Sequence, residues 1–334
     1  MILTIETKQS SYPVIMERGV LKRAKEKIGR EGHVFLISDD GVPEQWRSLL
    51  QQQYPDAHMH VFPQGEGFKN MRTLEDILED MLDHGVSRKD TVIALGGGVC
   101  GDMAGFAAAV YMRGIHWVNI PTTTLAQIDS SIGGKTAVDV GVYKNCAGAF
   151  WQPDMVLVDP DVLSTLPLRH YNNGLAEAIK AGILKDPHLF ELFETNDIPS
   201  HIDEIIARSL FVKKGIVERD ETEQGERKLL NFGHTLGHAY EEYYGLDTYL
   251  HGECVAMGMM KMIRDDALKA RLAKVLEKLD LPCACGADPE EILRLAASDK
   301  KADKGTITLV YADALGEAYT KETDLEELKG ILGL

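Results

Sequence analysis

The sequence predicts an α/β protein in which a half built on a parallel β-sheet is followed by a mainly α-helical half. Short β-branched runs alternate with helical stretches up to about residue 160, whereas long helical patterns dominate from residue 161. The 334 residues also exceed what a single domain usually holds. We therefore predict two domains, 1–160 and 161–334.

The elements of the first half follow one another at regular spacing. Apolar, β-branched runs predict strands at 1–10, 33–38, 59–63, 91–98, 116–124 and 155–160. Apolar residues at helical spacing predict a helix over 73–85, which Gly85 ends. Because strands alternate with helices, we expect the strands to lie parallel and to be joined by crossover helices.

The second half has a different texture. Helical periodicity predicts helices at 171–186, 201–218, 227–243, 252–279 and 288–299, and alternation predicts a β-hairpin at 306–320. We expect the active site in the cleft between the two halves, where ligand sites commonly lie.

Composition excludes several classes of partner. A net charge of −16 disfavours binding to nucleic acid or to an anionic membrane. No apolar run approaches the roughly 18 residues that a membrane span needs, and the N-terminal segment is not a signal peptide. The five cysteines are scattered and odd in number, which argues against a disulfide framework. We expect a cytoplasmic protein.

A glycine turn follows the predicted strand at 91–98 and opens a helix. Glycines at 96–98 let a backbone approach a pyrophosphate, whose charge a helix N-terminus stabilises. The turn is not a dinucleotide fingerprint in its usual register, so a tight turn without a ligand remains an alternative. The stretch 131–136 ends like a P-loop, but Asp129 occupies the leading glycine position and excludes it. Lys135 is an anion contact or a surface lysine.

The helical half carries candidate metal and anion ligands. Glu177 and Lys180 are three residues apart and should share a helix face. If 227–243 is helical throughout, Arg227, Asn231, His234 and His238 form one stripe, for which a solvated face is the alternative.

Two histidines and one carboxylate suit a catalytic divalent metal with open positions for substrate. Spacing nominates His234 and His238 as paired ligands, since residues four apart share a face. Spacing cannot choose between His238 and His251, which begins another helical stretch.

These motifs together resemble one family, the bacterial 3-dehydroquinate synthases. The resemblance rests on GGGVCGDMAGF, YMRG, PTTTLAQIDSSIGGKTAVD, YKNCAGAFWQP, GLAEAIK, LLNFGHTLGHAYE and LHGECVAMGM, in this order. It runs from about residue 62 to 260 and continues weakly through SDKKADKGTITLV. Cys100 and Cys146 stand where aliphatic residues are commoner in the family, and YKN replaces a frequent GKN.

The resemblance implies an N-terminal Rossmann-like NAD-binding domain, a helical domain for metal and substrate, and a homodimer. It implies bound zinc or cobalt and a small anionic sugar phosphate as substrate. The implied reaction is the second step of the shikimate pathway: 3-deoxy-D-arabino-heptulosonate 7-phosphate is transiently oxidised by NAD, loses phosphate, is reduced, and closes by an intramolecular aldol step to 3-dehydroquinate.

The resemblance also implies roles for individual residues. The metal ligands are Glu177, His234 and His251, which leaves His238 to the substrate. The catalytic set comprises Lys135, Asn145, Lys180 and His238. Substrate contacts comprise Arg113, Lys213, Arg227, Asn231 and a lysine at Lys300 or Lys301. The NAD contacts comprise Asp39, Glu66, Lys69, Gly97, Gly98, Asp102, Thr122, Thr123, Asp129, Lys144 and Thr165.

Three other functions are compatible with parts of this pattern. A sister sugar phosphate cyclase is the first: valiolone-type enzymes should differ at GGK (133–135) and GHTLGH (233–238), and 2-deoxy-scyllo-inosose synthases around DSSIGGKT (129–136). A metal-dependent alcohol dehydrogenase predicts net accumulation of NADH and leaves the cations Lys135, Lys180 and Arg227 without a role. A non-catalytic nucleotide-binding protein would not need an intact set of three metal ligands.

Overall fold

The computed structural model describes residues 1–8, 10–141, 143–195, 197–245, 248–299 and 306–334. They form two compact units, Met1–Pro167 and Leu168–Leu334. The division lies a few residues beyond the one predicted at 160–161. The reason is that the short 3-10 helix Pro160–Thr165 belongs to the first unit, where its Val162 is buried in the core.

Seven strands of the first unit form one sheet. The strands of this unit are β1 (Ile2–Glu6), β2 (Ser11–Met16), β3 (Val34–Asp39), β4 (His58–Phe62), β5 (Thr91–Gly96), β6 (His116–Pro121), β7 (Lys135–Val140), β8 (Tyr143–Phe150) and β9 (Met155–Val158). The sheet order is β1-β2-β9-β6-β5-β3-β4, and β7 pairs with β8 in a separate antiparallel hairpin. Only β1 runs antiparallel to its neighbour within the described sheet.

Helices cover both faces of this sheet. They are α1 (Ala24–Ile28), α2 (Glu44–Gln51), α3 (Met71–Asp83) and α4 (Gly98–Val110). Residues of α3 and α4 share one hydrophobic core with the sheet, and residues of α1 and α2 share the other. The apolar run of β5 is buried along its whole length, as expected for a parallel strand with helices on both sides.

The second unit is mainly helical. Its helices are α5 (Leu168–Lys185), α6 (Pro187–Glu194), α7 (Ile202–Arg219), α8 (His234–Tyr244), α9 (His251–Met262), α10 (Asp266–Lys278), α11 (Pro289–Asp299) and α12 (Leu325–Leu332). The predicted hairpin is formed by β10 (Thr306–Ala314) and β11 (Glu317–Asp324). Among the described residues, no helix is long and apolar enough to cross a membrane.

Two of the predicted helices are broken, so those two predictions are wrong. The stretch 227–243 is a 3-10 helix, Glu226–Asn231, followed by a break at Gly233 and then α8. Gly233 has φ +79°, and a Cβ there would lie 2.8 Å from the carbonyl oxygen of Val255 on α9. The stretch 252–279 splits into α9 and α10 because Ile263 leaves the helix to bridge to Ala312 of β10.

Candidate active site

A buried carboxylate lies at the centre of the second unit. Glu177 and Lys180 of α5 are almost completely inaccessible, and Lys180 Nζ makes an ion pair with Glu177 Oε2. Burial raises the pKa of Glu177, but the nearby Lys180 and His234 outweigh it and hold this pKa well below its usual range. Glu177 is therefore an ionised carboxylate inside the protein.

Two histidines each place their Nε2 atom close to that carboxylate. His234 Nε2 lies 3.5 Å and His251 Nε2 lies 3.3 Å from Glu177 Oε1. His234 Nδ1 lies 3.1 Å from the carbonyl oxygen of Phe232, and His251 Nδ1 lies 2.7 Å from Glu241 Oε1. Since a carbonyl only accepts hydrogen bonds, Nδ1 of His234 carries the proton and Nε2 presents its lone pair.

The charge state of these histidines is set by the same neighbours. Burial and Lys180 lower the pKa of His234 well below its usual value, so this ring is neutral. Burial also lowers the pKa of His251, but the neighbouring carboxylates of Glu177 and Glu241 outweigh it and raise this pKa to about 10. A divalent cation would take the place of the proton on His251 Nε2, as metal binding to histidine generally does.

The three side chains fit a divalent metal. One ligand atom from each of Glu177, His234 and His251 lies within 4.8 Å of the others. In the described part of the chain, neither oxygen of Glu177 accepts a hydrogen bond of normal geometry, although both are buried. A buried carboxylate without such bonds is costly, and a cation held by one oxygen and two imidazoles would satisfy it. Such a site leaves coordination positions open for substrate.

His238 occupies a neighbouring place. Its ring lies edge-on to His234, with 5.6 Å between centroids, and 6.2 Å from the ring of His251. Among the described residues, possible ligand clusters group His238 with Glu241 and His251, and not with His234 and Glu177. The fold therefore places His251, and not the His238 that helical spacing pairs with His234, beside His234 at the carboxylate of Glu177.

Glu241 was not identified from the sequence. It is buried on α8, where His234, His238 and Glu241 fall at i, i+4 and i+7 and so share a face. That spacing is the signal that could have found it. Its contact with His251 Nδ1 fixes how that ring is presented.

Further cations of the predicted set are buried in the same unit. Lys213 lies on α7, and Arg227 lies in the 3-10 helix before α8; both of these elements pack against α5. Arg227 donates a hydrogen bond to the carbonyl of Glu221. Asn231 donates to Glu223 Oε1 at 2.6 Å, which adds Glu223 to the polar residues that the sequence patterns missed. Lys300 and Lys301 lie outside the described residues.

The glycine turn lies in the first unit, between β5 and α4. Gly97 is the N-cap of α4 and has no side chain with which to cap this 13-residue helix. A Cβ on Gly97 would lie 3.0 Å from Cγ2 of Thr123, so the turn is closely packed on that side. The uncapped N–H groups of an α-helix are a suitable place for a phosphate oxygen.

A buried lysine connects several predicted residues of this unit. Lys69 Nζ lies 2.6 Å from Asp102 Oδ2, 2.6 Å from Asn145 Oδ1 and 3.7 Å from Glu66 Oε1. Burial lowers the pKa of Lys69, but the carboxylates of Asp102 and Glu66 outweigh it and raise the pKa above its usual value. Asn145 has φ +52°, and its N–H donates to Asp139 Oδ1 at 2.6 Å. Four of the predicted residues thus meet in one network.

The other predicted residues of this unit lie at several places. Asp39 ends β3, and burial raises the pKa of its carboxyl group. Asp102 and Lys135 line one small cavity. The Thr122 N–H donates to the carbonyl of Gly96 at 2.9 Å. Gly98 lies at the start of α4, and Asp129 lies in the helical turn Ala126–Ser130. Trp46 Nε1 donates to the hydroxyl of Thr165 at 2.8 Å. Arg113 and Lys144 are exposed.

Solved structures share this fold. The 2-epi-5-epi-valiolone synthase of Streptomyces hygroscopicus, determined with NAD⁺ and Zn²⁺ bound, is 27% identical with a TM-score of 0.88 over 98% of this chain and 97% of the other. A 2-deoxy-scyllo-inosose synthase superimposes with a TM-score of 0.88 over 99% of both chains at 23% identity. An iron-containing alcohol dehydrogenase from Thermococcus thioreducens shares the fold more distantly, with a TM-score of 0.69, 15% identity and coverage of 99% of this chain and 98% of the other.

Sequence relatives are closer. A 3-dehydroquinate synthase from Clostridium beijerinckii is 37% identical, over 97% of this chain and 98% of the relative. One from Streptococcus suis is 39% identical, over 98% of each. Family models described as 3-dehydroquinate synthase N-terminal and C-terminal match residues 59–173 and 174–302. The chain belongs to the 3-dehydroquinate synthase family.

Proposed function

We propose that this chain converts 3-deoxy-D-arabino-heptulosonate 7-phosphate into 3-dehydroquinate and inorganic phosphate, with NAD and one zinc or cobalt ion as cofactors. The observation that carries the proposal is the convergence of two Nε2 atoms on the buried carboxylate of Glu177. It occurs in a chain that belongs to the 3-dehydroquinate synthase family. The bound NAD⁺ and Zn²⁺ of the valiolone synthase support the choice of cofactors.

The chain's own residues hold these cofactors. Glu177, His234 and His251 would hold the metal, and the N-terminus of α4 with the Lys69–Asp102 network would hold NAD. When bound, NAD would supply reversible hydride transfer at C5 of the substrate, and the metal would supply polarisation of the C5 oxygen. The Nδ1 partners of the two histidines keep both rings oriented for this task.

The substrate carries a phosphate and a carboxylate, so it needs positive charge in a protein whose net charge is −16. Lys180, Lys213 and Arg227 are buried cations of the second unit: Lys180 lies on α5 with Glu177, and the elements that carry Lys213 and Arg227 pack against α5. We assign these three residues to the two anionic groups of the substrate. Charge-assisted hydrogen bonds contribute about 1.5–3 kcal/mol each, whereas salt screens the net charge beyond roughly 10 Å.

His238 is assigned to the substrate and not to the metal. It lies beside both metal-binding rings, at the distances given above, and therefore lies where a proton of the bound substrate could be reached. We propose that His238 moves a proton on the substrate, a role that usually contributes about 10²–10⁴-fold to the rate.

We also propose that the protein works in the cytoplasm as a homodimer. All five cysteines are free, and Cys146 is exposed, as is usual in a reducing compartment. The dimer follows from the family resemblance, and light scattering on the purified protein measures it directly.

The decisive experiment supplies the heptulosonate phosphate, NAD and zinc or cobalt, and measures phosphate, 3-dehydroquinate and NADH together. We expect phosphate in large excess over NAD with no standing rise in NADH absorbance, because the hydride returns to the carbon it left. NADH equal to product would contradict the proposal and favour a dehydrogenase. Phosphate release from glucose 6-phosphate, whose carba-analogue the inosose synthase binds, would favour a sister cyclase.

A further inference from the structure

A second group of histidines lies in the first unit, on the edge strand of its sheet. His58 and His60 of β4 are two residues apart and so point to the same side of the sheet. Asp80 of α3 and the adjoining C-cap His84 are four residues apart and so share a helix face. Because α3 packs against β4, the two pairs meet.

The three histidines converge on the carboxylate of Asp80. Asp80 Oδ2 lies 2.9 Å from His58 Nε2 and 2.6 Å from His60 Nδ1, and Asp80 Oδ1 lies 3.0 Å from His84 Nδ1. One ligand atom from each of His58, Asp80 and His84 lies within 4.8 Å of the others. This is the donor set, two imidazoles and one carboxylate, that late first-row divalent metals take in proteins.

The rings of this histidine group pack against one another and against the core of the first unit. The rings of His58 and His84 stack, with centroids 3.6 Å apart and 16° between their planes. His84 Nδ1 lies 2.9 Å from the carbonyl oxygen of Asp80, which only accepts hydrogen bonds, so Nδ1 donates there and Nε2 is the nitrogen of His84 left to bind a metal. The ring of the buried Phe35 lies 5.5 Å from that of His58 and excludes water on one side. His84 also caps the C-terminus of α3, where the helix dipole favours positive charge.

We propose that His58, Asp80 and His84 form a second zinc site, separate from the candidate active site. His60 is a positioning residue, since its contact with Oδ2 orients the carboxylate while Oδ1 turns to the metal. The side chains of His58 and His84 are about two-fifths exposed, which lets an ion enter from solvent. A bound ion would hold the edge strand β4 to α3. This site does not depend on the proposed function.

Zinc counting tests the site. The purified protein and its variants are dialysed against buffered free zinc, and bound zinc per chain is measured by mass spectrometry. We expect His58→Ala/His84→Gln to bind one zinc fewer than the wild type while it keeps the zinc held by Glu177. We expect Glu177→Ala to lose the zinc of the candidate active site and to keep the zinc held by His58, Asp80 and His84. His60→Ala should weaken the second site by about 10–100-fold, as loss of an orienting residue usually does.

His116→Ala is the matched control. His116 is an exposed histidine of the same unit that contacts the carboxylate of Asp154 at 3.0 Å, without a second imidazole in a ligand cluster of the described residues. This variant should bind as much zinc as the wild type. Equal zinc in the wild type and the His58/His84 double variant would overturn the proposal.

Two further measurements keep the test decisive. If the double variant does not fold, His84→Gln alone, at the more exposed of the two ligand positions, takes its place with the same expected loss. Zinc should also slow hydrogen exchange in 58–62 and 80–84 of the Glu177→Ala protein. Unchanged exchange in these two segments at saturating zinc would contradict the proposal as clearly as an unchanged zinc count.

Discussion

The orientation of His234 and that of His251 each depend on the partner of the ring's Nδ1 atom. A backbone carbonyl holds His234, whereas a side chain, Glu241, holds His251. The two arrangements differ in one respect that can be tested. A carbonyl of the backbone cannot be removed by substitution, but the Glu241 carboxylate can.

Glu241→Ala should weaken metal binding by about 10–100-fold, because the ring of His251 loses the acceptor that orients it. Competition with a chromophoric zinc chelator measures the affinity. Glu242→Ala is the matched control, since Glu242 is exposed at the next position of α8. Equal zinc affinities in the two variants would show that Glu241 has no part in holding the metal.

The roles of His238 and His251 are separated by metal analysis of two variants. His251→Ala should lose most bound metal at the site of Glu177, because one of three protein ligands is gone. His238→Ala should keep near-normal metal and lose about 10²–10⁴-fold in kcat, the usual worth of acid–base help. If His238→Ala contains no metal while His251→Ala keeps its metal, the ligand assignment is reversed, and His234 and His238 are the paired ligands.

At the scale of elements, the break at Gly233 decides where the metal residues lie. It ends the 3-10 helix that carries Arg227 and Asn231 and lets α8 begin at His234. The apolar periodicity of 227–243 gave no sign of this break, because one glycine is tolerated in many helices. What forces it is the close approach of α9, a contact between segments distant in the sequence.

Gly233→Ala should therefore destabilise the protein more than a glycine substitution of similar backbone conformation. A positive φ costs a non-glycine residue roughly 1–2 kcal/mol, and the clash with the carbonyl of Val255 adds to this. Gly19→Ala is the control, because Gly19 has φ +74° and ψ +11°, in the same left-handed region as Gly233, and no atom lies within 4 Å of the added Cβ. Urea unfolding followed by circular dichroism gives both losses of free energy. Equal losses would mean that the contact with α9 is not what requires glycine.

At the scale of the whole molecule, periodicity located most elements, but not how distant segments meet. The α/β first half, the helical second half and the late hairpin were predicted from pattern alone, since each has a local signature. The β7–β8 hairpin was missed because its glycines and polar residues carry no clear alternation. Residue spacing could not predict that Glu177 lies with His234 and His251 either, because this grouping depends on the packing of α5, α8 and α9. Only the family resemblance supplied it in advance.

The proposed reaction needs residues from both units, and hydrogen exchange can follow each unit separately. With NAD, zinc and a substrate analogue that cannot lose phosphate, we expect slower exchange in 96–102 of the first unit. We also expect it in 173–180 and 231–241 of the second, because bound ligands suppress local opening.

NAD alone should protect 96–102 and leave the two segments of the second unit unchanged. Glu177→Ala serves as the control: without the metal it should keep the protection that NAD gives to 96–102 and lose most of the protection in the second unit. Protection confined to one unit of the wild-type protein, with all three ligands present, would contradict a reaction shared by cofactor residues of the first unit and metal residues of the second.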